Sequence, residues 1–164
     1  MKRSSAIVLT FVLLFSGCAG RQKTVTNLPP GVTQAQVNSW DSAVANLNKM
    51  AVSVSAVRQL VISLNKQGTF PDGAPYAVTL RSIGQINQLE IASVDYLKTV
   101  PNSWSTTTAT TIKANMDTIL AQIQTLNAEG VTGIKDQNSL TQVNTLITEI
   151  TSLTNIVLSL ATGS

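Results

Sequence analysis

Apolar residues recur every three or four positions in four separate stretches of this chain, beginning after Thr33. This spacing places them on one face of a helix, so each stretch predicts an amphipathic α-helix. Helices are predicted over residues 33–67, from about 75 to 100, from 102 or 103 to a stop at Gly130, and from 136 or 138 to 161. Turn-forming residues, mainly glycine and proline, separate the four stretches.

Short connections between four amphipathic helices favour an all-α fold, an antiparallel up-down-up-down four-helix bundle behind a flexible N-terminal tether. Thr33 and Gln36 fit a capping box at the start of the first helix. The second helix has the least regular apolar stripe, and Gly84 inside it indicates a close helix crossing or a slight bend. One alternative fold is a three-helix core with the second helix loosely docked. Another is an intermolecular coiled coil through the stripe of the first helix.

The first eighteen residues follow a different pattern from the rest of the chain. Lys2 and Arg3 form a basic head, residues 6–15 are an apolar run, and small residues follow. A basic head, a short apolar run and small residues before a cut are typical of an export signal. The run of ten residues is too short to cross a bilayer as a helix, which takes about 20 residues.

The sequence Phe15-Ser16-Gly17-Cys18 resembles the lipobox of bacterial lipoproteins, although that family usually has Leu or another aliphatic residue where this chain has Phe15. The resemblance implies cleavage between Gly17 and Cys18, with lipidation of Cys18 as the first residue of the mature protein. Because Ala19 rather than Asp follows the cysteine, it also implies an outer-membrane anchor facing the periplasm in a bacterium with two membranes. We therefore expect a signal peptide over 1–17, the lipidated cysteine and tether over 18–32, and the helical domain over 33–164.

Composition argues against most catalytic chemistry. The chain has no histidine and one cysteine, which argues against His-dependent acid–base catalysis, Cys–His nucleophiles and the usual zinc sites. Once Lys2 and Arg3 leave with the signal, nine basic side chains face eight acidic ones. A nearly neutral chain has no electrostatic footprint for nucleic acid. We expect a protein that is not an enzyme, with no cofactor, no metal and no nucleic-acid partner.

Three aromatic residues are the candidate site in the helical domain. In an up-down-up-down bundle, Trp40, Tyr96 and Trp104 map to the end nearest Cys18. Trp and Tyr favour membrane interfaces, so this end is a candidate lipid contact. The competing interpretation, favoured because Trp40 lies on the apolar stripe, is that the three close the end of the core. Glu90 lies near an apolar face and is interpreted as a solvated flank residue, because Glu is rarely buried unpaired.

These observations predict a membrane-anchored envelope lipoprotein whose non-catalytic helical bundle is a structural or protein-interaction module. Its expected partners are the membrane, through the N-terminal lipid, and an envelope protein. The alternative is a periplasmic carrier of a lipophilic small molecule, held between helices. Gly84, Ala109 and Met116 are the residues that would make room for it.

Overall fold

The computed structural model describes residue 28 and residues 30–163. The predicted signal peptide, Gly17, Cys18 and most of the predicted tether lie outside the described residues. The described residues form no strand and contain four α-helices: α1 (Gln34–Lys66), α2 (Ala74–Thr99), α3 (Thr106–Thr125) and α4 (Gln137–Thr162). The predicted all-α class with four helices is confirmed for this part of the chain.

The four helices share one hydrophobic core. α1 packs against α2 and α4, and α3 packs against the same two helices. The apolar stripes face inward and form a single contiguous cluster, whose most completely buried large side chains are Leu47, Met50, Phe70, Ile83, Ile86, Leu97, Ile112, Met116, Ile119, Leu126 and Ile150. Burial of these stripes is the main force holding the helices together. Ile156 on α4 lies outside this cluster and is 42% exposed.

Three of the four described helices begin at a side-chain cap, whereas α2 begins after Gly73 without one. The capping box at Thr33 is confirmed: its hydroxyl accepts from the Gln36 backbone N–H at 3.3 Å, and the Gln36 side chain accepts from the Thr33 N–H at 2.9 Å. Asp136 caps α4. The predicted cap of α3 at residue 102 or 103 is wrong, because Ser105 accepts from the Thr108 N–H at 3.2 Å. Asn102 instead has a left-handed φ of 59° within the preceding turn.

The connections that follow α1 and α3 differ, although both helices run into the sequence Leu-Asn-x-x-Gly. Gly68 has φ +73° and ends α1 as predicted. Gly130 does not stop the helix: its φ is −74°, and the chain continues through a π turn (Leu126–Gly130) and a 3₁₀ turn (Val131–Gly133). A Cβ atom on Gly130 would lie 2.6 Å from Thr79 Oγ1, so glycine is required there by the close approach of α2.

Candidate functional site

Two tryptophans hold the helix ends at the predicted aromatic site. The indole Nε1 of Trp40 donates to the Leu97 carbonyl at 3.0 Å, and that of Trp104 donates to the Leu160 carbonyl at 3.1 Å. Both carbonyls belong to the last turns of α2 and α4, and the Leu97 carbonyl also accepts the Val100 N–H at 3.2 Å. Each indole therefore links the last turn of one helix to a residue at or near the start of another.

The three predicted aromatic residues do not form a stacked cluster. Trp104 is buried, whereas Trp40 and Tyr96 are half-buried. Within the described residues, the ring contact is the one between Phe70 and Tyr76, at 5.3 Å with the rings near perpendicular. The indole N–H groups of both tryptophans are used inside the chain. A role for this end at a lipid surface stays a prediction.

Phe70 packs between the loop that follows α1 and the connection that precedes α4, at the end of the domain away from Trp40 and Trp104. No role was predicted for Phe70 from the sequence. Its ring is fully buried, although it lies in the loop between α1 and α2. A Cβ atom on Gly133 would come within 2.7 Å of the Phe70 ring, and the Lys135 N–H donates to the Thr69 carbonyl at 3.1 Å. Asn65 Nδ2 donates to the Phe70 carbonyl at 3.0 Å. The only sequence signal was a large aromatic residue among turn formers.

Glu90 is buried, which contradicts its interpretation as a flank residue. It is 4% exposed, and it occupies the same inward register on α2 as Ile83, Ile86 and Leu97. No described group donates a hydrogen bond to its carboxyl oxygens. Burial raises the pKa of Glu90 from 4.5 to about 7; nearby Asp95 raises the pKa further, and Lys98 lowers it. The carboxyl is therefore close to half-protonated at neutral pH.

Glu90 belongs to a polar inner face of α2, which consists of Thr79, Ser82, Glu90 and Ser93, all buried. Ser93 Oγ donates to the Leu89 carbonyl at 2.8 Å and accepts from Asn115 Nδ2 at 2.9 Å, which links α2 to α3. The hydroxyl of Thr79 is buried without a hydrogen-bond partner among the described residues. The irregular stripe of α2 thus reflects polar residues at core positions.

The structure has no cavity for a lipophilic ligand at Gly84, Ala109 or Met116, the described residues predicted to provide one. Gly84 lies on the surface, with no heavy atom within 4 Å of a Cβ built on it, so it marks neither a close helix crossing nor an interior gap. Ala109 and Met116 are packed in the core. An open groove of about 390 Å³ does lie elsewhere, between the π turn and α4, and its lining includes Asn127, Asn144 and Ile147.

The charged side chains form no metal-binding group in the described part of the chain, where no three His, Cys, Asp or Glu residues converge. Two exposed ion pairs join neighbours on one helix: Lys98 with Asp95 at 2.8 Å and Lys113 with Asp117 at 2.6 Å. Such exposed pairs contribute about 0.3–0.5 kcal/mol each.

One described helix, α4, is long and apolar enough to cross a membrane by length and composition. The core helix of a soluble protein passes the same test, because its buried face is apolar. In the structure α4 packs against α1 and α3 through this face. Within that apolar window, 33% is buried in the structure.

No protein-family model, curated protein or solved structure matches the chain. Function is therefore inferred from its own residues and contacts.

Proposed function

We propose that this chain is a membrane-anchored envelope lipoprotein whose non-catalytic helical domain is a structural or protein-interaction module. The observation that carries the proposal is Ser16-Gly17 directly before the only cysteine, Cys18, behind a basic head and an apolar run. Lipoprotein acylation attaches more than one fatty chain, which suffices for stable anchoring. By the resemblance at Ala19, the anchor lies in the outer membrane and the domain faces the periplasm.

The four helices are proposed to form an antiparallel up-down-up-down bundle. Trp40 near the start of α1 bonds to Leu97 near the end of α2, which is what antiparallel neighbours require. Trp104, just before α3, bonds in the same way to Leu160 near the end of α4. The packing of α1 on α4 supports closure of the four helices into a ring around the core.

The tether sets how far this domain reaches from the membrane. Fourteen residues, 19–32, separate Cys18 from the cap of α1. Fully extended, they span at most about 45 Å at ~3.3 Å per residue. In the proposed bundle the end that carries Trp40 and Trp104 lies nearest the anchor, and the Phe70 end points away.

The outer face of α4 is the proposed contact surface for an envelope protein. It consists of exposed, uncharged residues at spacings of three and four: Thr141, Thr145, Thr148, Ser152, Asn155, Ser159 and Thr162. The Thr141 hydroxyl donates to the Gln137 carbonyl at 2.9 Å and the Thr148 hydroxyl to the Asn144 carbonyl at 2.8 Å, so these hydroxyls are satisfied within the helix. Helix surfaces exposed to solvent usually carry charges, whereas the centres of protein interfaces are depleted of them.

The anchor is tested by metabolic labelling with an alkyne fatty acid in a bacterial host. The wild-type chain is expected to take up label and to fractionate with the membrane, whereas Cys18→Ser takes up none. Ser16→Ala keeps a small residue before the cysteine and is the matched control, expected to label as wild type does. Equal labelling of wild type and Cys18→Ser contradicts the proposal.

The contact surface is tested by photo-crosslinking in cells, with a photoreactive amino acid at Ser152 or, as control, at Val52. Val52 is 67% exposed and lies on α1, away from the outer face of α4. A discrete protein adduct is expected at residue 152 and not at residue 52, and excess unlabelled domain should compete it away. The same adducts at both positions, or none at residue 152, contradict the assignment of this face.

The carrier hypothesis stays a prediction. Native mass spectrometry of the protein recovered from its own compartment distinguishes it, because a bound lipophilic molecule adds a mass that denaturation removes. The lipoprotein proposal predicts only the mass of the acylated chain, alone or with a protein partner.

A further inference from the structure

Of the four helices, α2 contributes the fewest buried apolar side chains to the core. Its polar inner face supplies four buried polar residues, whereas α1, α3 and α4 each supply one: Ser53, Thr108 and Thr154. Docking a helix is driven mainly by the apolar surface that it buries, at about 25 cal/mol per Å². Polar residues at four inward positions therefore reduce the free energy gained when α2 docks.

Glu90 is the one ionisable side chain on that face, and no charged group on a packed helix compensates it. α2 packs against α1, α3, the π turn and the 3₁₀ turn. The 3₁₀ turn has no ionisable residue, and the ionisable residues of the other three are all exposed: Asp41, Lys49, Arg58 and Lys66 on α1, Lys113 and Asp117 on α3, and Glu129 in the π turn. The charges that act on Glu90 are Asp95 and Lys98, both on α2 itself. An ionised carboxylate without hydrogen-bond donors is costly to bury, so the packed position favours the protonated acid.

Residues with positive φ lie in the loops that flank α2 at both ends. Gly68 has φ +73° and Gly73 has φ +151° before the helix, and Asn102 has φ +59° after it. Between the starts of α1 and α4, these are the described residues with positive φ. The connection from α3 to α4 instead continues through a π and a 3₁₀ turn. A helix between two such loops can move as a rigid body when the residues at its ends absorb the change in backbone angles.

We propose that Glu90 makes α2 a pH-controlled, releasable helix: the protonated carboxyl keeps α2 docked on α1 and α3, and loss of its proton to water releases α2. Release hydrates the carboxylate and breaks the hydrogen bonds from Asn115 to Ser93 and from Trp40 to Leu97. It also uncovers the apolar faces of α1 and α3 that α2 covers. This pH-controlled release of α2 depends on the described helices and not on the lipid anchor, so it is tested independently of the proposed function.

Hydrogen–deuterium exchange with mass spectrometry tests the release, on the full chain in mild detergent at about pH 5.5 and about pH 8.5. With a pKa of about 7 when packed and 4.5 when exposed, the open fraction of α2 should rise about 30-fold between these values. After correction for chemical exchange, α2 protection should fall by this factor, and at both pH values α2 should be less protected than α4, because release of one helix costs less free energy than unfolding of the whole domain. Glu90→Gln cannot ionise and should remove the change, whereas Glu149→Gln, a half-exposed position on α4, should leave it intact.

Two results overturn the proposal. If α2 and α4 are equally protected at both pH values, Glu90 weakens the whole domain and releases no single helix. If α2 protection in the wild type is the same at both pH values, or if Glu90→Gln retains the wild-type change, the carboxyl is not the control. If Glu90→Gln fails to fold, Glu90→Leu, which also cannot ionise, should likewise show no pH-dependent change in α2 protection. The comparison of α2 with α4 protection in the wild type tests the release of α2 without any variant.

Discussion

Replacing Glu90 by Gln should remove most of the pH dependence of stability between about pH 5 and pH 8. The pKa of Glu90 is about 7 in the folded chain and 4.5 when exposed. Because the folded pKa is raised, stability is greatest below 4.5, where both states are protonated. It falls as pH rises from 4.5 to 7, where the unfolded chain has lost the proton and the folded chain still holds it. Above 7 the loss is complete.

The size of this effect follows from the same two pKa values. One pKa unit corresponds to about 1.4 kcal/mol, so the full loss is about 3 kcal/mol, of which about 2.5 kcal/mol falls between pH 5 and pH 8. The chain has no histidine, the side chain whose ordinary pKa of about 6.5 lies in this window. Such a change is a large fraction of the 5–15 kcal/mol that is typical of a domain.

The assay is urea unfolding followed by circular dichroism at the two pH values. The wild type should lose about 2.5 kcal/mol of unfolding free energy from pH 5 to pH 8, and Glu90→Gln should be nearly flat. Glu149→Gln is the matched control and should follow the wild type. If Glu90→Gln shows the wild-type slope, burial of Glu90 does not control the titration and the reasoning is refuted.

Three further substitutions test the contacts that position the helix ends. Trp104→Phe removes the indole donor to Leu160 and should cost about 2 kcal/mol by thermal unfolding, whereas an unchanged midpoint would show that this hydrogen bond contributes nothing. Gly130→Ala places a methyl group against Thr79 Oγ1 and should cost about 1–3 kcal/mol, and the double variant with Thr79→Ala should recover part of the loss. Asp136→Asn removes the charge that caps α4. Because hydrogen bonds from Ser139 lower the pKa of Asp136 below 3.8, the acid-induced loss of wild-type helicity below that pH should shrink in the variant, and an identical acid profile would contradict this role.

The helices were predictable because their apolar spacing is local information. The apolar stripe that runs from Ala109 on α3 to Leu126 in the π turn is buried, and the capping box at Thr33 forms as predicted. The cap of α3 was misplaced because Asn102, Ser103 and Ser105 are all good cap residues. Backbone geometry, which the sequence does not display, selects Ser105 among them.

What the sequence left out depends on contacts between distant residues. Gly68 and Gly130 end the same local motif, Leu-Asn-x-x-Gly, but only Gly130 lies against Thr79. At Gly130 the backbone stays right-handed and the helical turns continue, whereas at Gly68 the helix ends. The partners of Trp40 and Trp104 are 57 and 56 residues away. Glu90 lies in the register of a core residue, but the rule that Glu is rarely buried unpaired argued against its burial. Here burial of the apolar residues around Glu90 outweighs the cost of burying its carboxyl group. The raised pKa of Glu90 reflects that cost.

The central claim is the lipid anchor at Cys18, and the mass of the N-terminal peptide of the membrane-extracted protein tests it most directly. A peptide that begins at Cys18 and carries the added mass of fatty acyl groups is the predicted result. A mature chain that begins at another residue, or an unmodified Cys18, would contradict the account.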